Sequence, residues 1–190
     1  MDHTFIRKLE TYPPQYIVIL LTGVAAIASI VIFMLMRPVE TALKAASPYG
    51  VMELEFAWTE EQINQIFESW TIDLITQELS VTYVDYGFLI AYSTFLAGIT
   101  LLIVRKILSG QIQLMGLYIT IVPFLAALFD AIENVNLILM LSSPTSFPTF
   151  SPFLASFFAS LKFGLLILVV VFWIISAVWF LYQRSTNESK

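Results

Sequence analysis

Apolar residues fill four long stretches of the chain, and polar residues collect in the intervals between them. The first stretch, YIVILLTGVAAIASIVIFMLM, covers about 16–36, and the second runs through FLIAYSTFLAGITLLIV over about 83–104. The third and fourth cover about 114–141 and 153–182. Crossing about 30 Å of hydrocarbon at about 1.5 Å per residue takes roughly 20 apolar residues, because in lipid each backbone polar group must be paired inside its own helix. The pattern therefore predicts an all-α membrane protein, a four-transmembrane-helix bundle forming a single membrane domain over 1–190. The first run is too long for a cleaved signal peptide and carries its small residues mid-span, so it is read as a retained anchor. Gly23, Ala25, Ala26 and Ser29 in the first span, with Ala91, Ala97 and Gly98 in the second, would let two helices approach closely. Pro123 is expected to kink the third span.

Between the first two spans, over 38–81, the pattern changes. VMELEFAWT alternates Met52, Leu54, Phe56 and Trp58 with Glu53, Glu55 and Ala57, the period of a half-buried strand. In TEEQINQIFESW, Thr59 and Gln62 have the spacing of a capping box, and Glu60 and Glu61 suit the positive end of a helix dipole. Ile63, Ile66, Phe67 and Trp70 then recur at helical spacing. The expectation is a small extramembrane strand-plus-amphipathic-helix module in the first loop, whose apolar face either packs on the module and bundle or offers a partner surface. The third loop, SSPTSFPTFSP, reads as a short extended cap, with Ser151 and Pro152 suited to opening the fourth helix.

Composition agrees with lipid as the solvent: 58% of residues are hydrophobic and 12% charged, with mean hydropathy +0.84. A net charge of -5 and no clustered Lys or Arg argue against a nucleic-acid partner. With no Cys, and His3 as the only His, disulfides, thiolate chemistry, a Ser-His-Asp triad, an HExxH zinc site and bis-histidine haem ligation are excluded. The loop glutamates lack the DxDxDG-like spacing of a calcium site, so no metal or cofactor is expected.

Four spans put both tails and the second loop on one side. Arg7, Lys8, Arg105, Lys106, Arg184 and Lys190 fall on that side, against Arg37, Lys44 and Lys162 on the other. The positive-inside rule then predicts cytoplasmic termini, with the first and third loops outside a plasma or inner membrane.

The chemistry-bearing residues lie near the outer ends of the spans. Counting roughly 20 residues outward from Arg105, Gln113 and Tyr182 reaches Asp85, Glu133 and Lys162. Asp130 lies one turn deeper and shares a helix face with Glu133 and Asn134. Intramembrane ionisable groups are costly and usually face the interior, so Asp85, Asp130, Glu133, Asn134 and Lys162 are a candidate ligand-binding or structural polar cluster, with no catalytic set among them. The same residues would also fit a hydrated boundary with Lys162 snorkelling.

GVMELEFAWTEEQINQIFESW, VDYGFLIAY and LFDAIEN together resemble a group of small, uncharacterised four-span integral membrane proteins over most of the chain. That resemblance implies a bundle and no assigned activity. The layout is also similar in architecture to EXPERA-domain proteins, the sterol isomerase and sigma-2 receptor class, which implies acidic residues facing an apolar cavity. The histidine of a sterol isomerase site is missing from these spans. Three functions stay open: a non-enzymatic accessory or partner-binding subunit of a membrane complex, a protein that binds or converts an apolar lipid-like or sterol-like ligand, and ion or proton movement by an oligomer. Besides the lipid bilayer, another membrane protein or a second copy of the chain is the expected partner.

Overall fold

The computed structural model describes residues 4–188, so His3 and Lys190 lie outside the described residues. Its helices are α1 (Thr4–Arg7), α2 (Gln15–Ala46), α3 (Val51–Glu55), α4 (Glu60–Ser69), α5 (Ile72–Ile107), α6 (Gly110–Ile119), α7 (Val122–Ser142) and α8 (Ser151–Glu188), with a 3-10 turn at Lys8–Glu10. Four segments are long and apolar enough to cross a membrane: α2, α5, α6 with α7, and α8 to Tyr182. This is the composition of an integral membrane protein.

The spans associate through α5. Helix α2 packs on α5, α5 on α7, and α7 on α8. Small residues set the first contact: a Cβ on Gly98 would collide with the side chain of Thr22, whose hydroxyl turns back to donate to Val18 O at 2.6 Å. Ala25, Ala91 and Ala97 are buried as well, whereas Gly23 faces open space. Away from the contacts, Ile19, Leu20, Ile27 and Leu35 of α2 and Ile167, Ile174 and Leu181 of α8 stay exposed, as helix faces turned to lipid do.

The boundaries differ from the sequence expectation. Helix α2 continues through Pro38 to Ala46, and α5 starts at Ile72, so the first two spans take up part of the predicted 38–81 module. Thr71 caps α5 by accepting from Leu74 N at 3.2 Å. The expected kink at Pro123 is instead a break one turn earlier. The chain leaves α6 at Thr120 and Ile121, and Pro123 sits in the first turn of α7, where its missing N–H has no helical partner to lose.

The expected strand is also overturned: Val51–Glu55 is a helix, and no strand occurs among the described residues. Carboxylates supply the acceptors that its first N–H groups need. Gly50 N donates to Glu53 Oε2 at 2.7 Å, and Val51 N donates to Glu40 Oε2 at 2.9 Å. Gly50 allows this close approach, since a Cβ there would stand 2.6 Å from Lys44 Cε and 2.7 Å from Glu40 Oε1. Helix α4 follows, with Thr59 Oγ1 accepting from Gln62 N and Gln62 Oε1 accepting from Thr59 N. Its residues Ile63, Ile66 and Phe67, together with Trp70, are buried against Leu43, Leu54, Ile75, Leu137 and Met140. The chain itself therefore covers the face considered as a partner surface, because burying those side chains on the bundle removes them from solvent without a second protein. Trp70 Nε1 donating to Tyr49 O at 3.1 Å and the Ser47–Ser69 hydroxyl contact at 2.7 Å tie this segment to the preceding loop.

A second apolar cluster joins Ile6, Val18, Leu101, Val104, Leu108 and Leu117 at the opposite end of the bundle. There Arg105 fastens the N-terminal segment, donating to Leu9 O and Pro13 O, each at 2.8 Å. Along the third span, Leu117 belongs to this cluster, and Leu137, Met140 and Leu141 belong to the α4 cluster. Asp130, Glu133 and Asn134 lie between the two.

Candidate functional site

Helix α7 turns Asp130, Glu133, Asn134 and Leu137 to its buried side, since spacings of three and four keep residues on one face. Lys162, from the first turns of α8, reaches this face. Its Nζ lies 3.0 Å from Asp130 Oδ1, 2.8 Å from Glu133 Oε2 and 3.5 Å from Glu55 Oε2. The Lys162 side chain is 7% exposed and that of Glu133 is fully buried, so the ammonium is enclosed by carboxylates and does not snorkel. Its Nζ also sits 4.8 Å from the Phe163 ring centroid. Tyr92 of α5 completes the shell of Asp130, its hydroxyl donating to Oδ2 at 2.9 Å.

Asp85 and Asn134 meet one turn away, where Asn134 Nδ2 donates to Asp85 Oδ2 at 2.7 Å. The five polar residues singled out from the sequence thus form two adjoining groups on one α7 face: Asp130, Glu133 and Lys162 in one, Asp85 and Asn134 in the other. Glu55 links them, since it pairs with Lys162 and also faces the cavity beside Asp85.

That cavity, about 460 Å³, lies between α2, α3, α5 and α7. Phe33, Met36, Val81 and Leu137 make its walls apolar, and Glu40, Glu55, Glu78, Asp85 and Arg37 bring charge to it. Its size is in the range that small-molecule sites use. A second cavity of about 500 Å³, beside α3 and α4, has Glu53 as its one carboxylate, and that group already holds Gly50 N.

The carboxylates differ in how well they are satisfied. Glu40 pairs with Lys44 at 2.7 Å and holds Val51 N. Glu55, on α3 outside the spans, has its carboxyl pushed above the ordinary range, chiefly by burial. The Lys162 ammonium acts against that rise, and the charge on Asp130 adds to it. Glu78 is 2% exposed, and its Oε2 has no hydrogen-bond partner among the described residues.

Glu55, Glu78 and Tyr92 were not singled out from the sequence. Glu78, Asp85 and Tyr92 recur at steps of seven on α5, with Thr82 four residues after Glu78, and that polar stripe within an apolar helix is a signal that periodicity could have raised. Glu55 shares a face with Val51 and Leu54 once the segment is taken as helical.

No protein-family model, curated protein or solved structure matches the chain. The site offers no nucleophile–histidine arrangement, and no group of three or more His, Asp or Glu among the described residues is arranged to hold a metal ion. What it can do is enclose a molecule that is mostly apolar and partly polar, beside a buried network of charges.

Proposed function

We propose that this chain is a membrane-embedded binding protein for a small molecule with an apolar body and a polar head. The observation that carries the reading is the cavity of about 460 Å³ between α2, α3, α5 and α7, apolar along its walls and lined by Glu55, Glu78, Asp85 and Asn134 at one side. Pockets of this kind, with a few convergent polar groups in an apolar surround, are the usual form of a ligand site. An accessory role has less support, because the apolar face of α4 is spent on the chain's own core.

In this reading both termini are cytoplasmic and the segment holding α3 and α4 lies outside. Lys162 is enclosed by three carboxylates, which leaves Arg37 and Lys44 as the exposed basic residues on the outer side. The ligand would then enter from the outer leaflet, past α3.

Native mass spectrometry of the full chain, purified gently from its own membrane in neutral maltoside micelles, tests the reading. One retained small molecule per chain is expected, and Val81→Trp, which fills the cavity, should abolish it. A stoichiometric protein partner with no retained small molecule in either form would overturn binding in favour of the accessory role.

A further inference from the structure

We propose that the head of the ligand is cationic: an ammonium group on an apolar chain, seated between Glu78 and Asp85. The proposal rests on the binding reading and adds the charge of the molecule bound.

Ion pairs inside the chain account for part of the negative charge around the cavity. Glu40 is matched by Lys44 at 2.7 Å, and Glu55 shares Lys162 at 3.5 Å. Glu78 and Asp85 form no ion pair with any described residue. Asp85 has one neutral donor, Asn134, on Oδ2, while Glu78 is buried to 2% exposure with Oε2 unpartnered. The two project from α5 at a spacing of seven, two turns apart on one face. Thr82 lies between them with its hydroxyl committed to Glu78 O at 2.9 Å. A carboxylate held in such a place without a partner is expensive, and a cation would supply both the missing hydrogen bond and the opposite charge.

Two further features set the class of that cation. The cavity is far larger than a single ion needs, and its other walls are Phe33, Met36, Val81 and Leu137, which suit a hydrocarbon chain or the methyl groups of a quaternary amine. An anionic head would have Arg37 alone to meet it, against four lining carboxylates. A neutral head can donate a hydrogen bond to Glu78 Oε2 but leaves the negative charge of a carboxylate there uncompensated. The ammonium could belong to a lipid headgroup or to a free amphiphilic amine, since the chemistry recognised is the same.

Three probes with one tail separate these cases: dodecylamine, dodecanol and dodecanoate, each titrated into the full chain in maltoside micelles and read by native mass spectrometry. Dodecylamine should be retained as one equivalent and about tenfold or more tighter than dodecanol, the scale of one charge-assisted hydrogen bond. Glu78→Gln should remove that preference, bringing dodecylamine retention down towards that of dodecanol on the same variant, and Asp85→Asn should weaken it in the same direction, so the outcome does not depend on one variant folding. Equal retention of all three probes, sensitive to Val81→Trp, would overturn the cationic head and leave the binding reading intact. No retention of any probe, or retention indifferent to Val81→Trp, would overturn both. Dioleoylphosphatidylethanolamine displacing dodecylamine would support a lipid source, and failure of displacement a free amine.

Discussion

Replacing Lys162 by Met keeps the apolar stem of the side chain and removes the cation that pairs with Glu55, Asp130 and Glu133. The three contacts, at 3.5, 3.0 and 2.8 Å, lie where the carboxylate side chains are 13%, 6% and 0% exposed, so water cannot take over the role of the ammonium. Removing one partner of a buried pair costs about 3–5 kcal/mol, because the remaining charge is left uncompensated. Three carboxylates share the one ammonium, and proton uptake by them once it is removed limits the penalty, which puts the expected loss at about 3 kcal/mol. Asp130→Asn keeps the Tyr92 contact and loses the ion pair, for a smaller loss of about 1–3 kcal/mol. The double variant should lose less than the sum of the two, by a coupling of about 1–3 kcal/mol. Unfolding of the full chain in maltoside micelles on titration with dodecyl sulfate, followed by far-ultraviolet circular dichroism, measures all three. The exposed Glu61→Gln is the control and should move stability by no more than about 0.5 kcal/mol. Additive losses, or a Lys162→Met chain as stable as the parent, would refute the enclosed ammonium and place Lys162 at the hydrated boundary.

Glu55 gives a dependence on pH. Its carboxyl is raised from an ordinary value of 4.5, so the folded chain binds the proton more tightly than the unfolded one. The stability that this contributes is fully present below the ordinary value and is lost as pH rises through the raised folded value. Thermal midpoints of the parent should therefore fall relative to those of Glu55→Gln on going from acid to neutral pH, and a difference constant with pH would count against the burial of that group. Gly98→Leu should separate α2 from α5, because even a Cβ there meets Thr22; a loss of about 1–3 kcal/mol is expected, with Gly23→Leu nearly neutral in the same unfolding assay. For orientation, a Cys introduced at Gln65 should react with an impermeant maleimide in intact cells and one at Ser185 only after permeabilisation. The chain has no native Cys to interfere, and the reverse pattern would invert the topology.

Much of the architecture was legible from local pattern, because the requirement for paired backbone groups in lipid acts on each span separately. The failures came where a short segment fits two periods at once. Over Val51–Glu55 the alternation of Met52 and Leu54 with Glu53 and Glu55 suits a strand, while Val51, Leu54 and Glu55 suit one helix face, and five residues are too few to separate them. Glu40, arriving from α2, decides the matter by accepting from Val51 N. Pro123 is similar: a proline inside an apolar run reads as a kink, but whether it interrupts a helix or opens one depends on where the preceding turn ends, here at Thr120 and Ile121. The site was half legible. Asp130, Glu133 and Asn134 declared themselves by being polar in apolar surroundings, whereas Glu55 sat among other glutamates in a polar stretch and carried no such contrast.

The sequence by itself determined that the chain has four membrane-grade spans, that carboxylates and one lysine lie near one end of them, and that the spans hold no Cys and no His. These follow from composition and spacing within single segments. Only the tertiary structure decided that Lys162 pairs with Asp130, Glu133 and Glu55, the last 107 residues away along the chain. It also decided that Glu78 is left buried without a partner and that α3 closes one side of an acid-lined cavity. Hydropathy specifies that a helix spans, but its lateral order and its rotation about its own axis are set by side-chain packing against neighbouring helices. A charge near the end of a span can therefore face lipid headgroups or an ammonium on another helix, and the packing of α7 and α8 selects the ammonium.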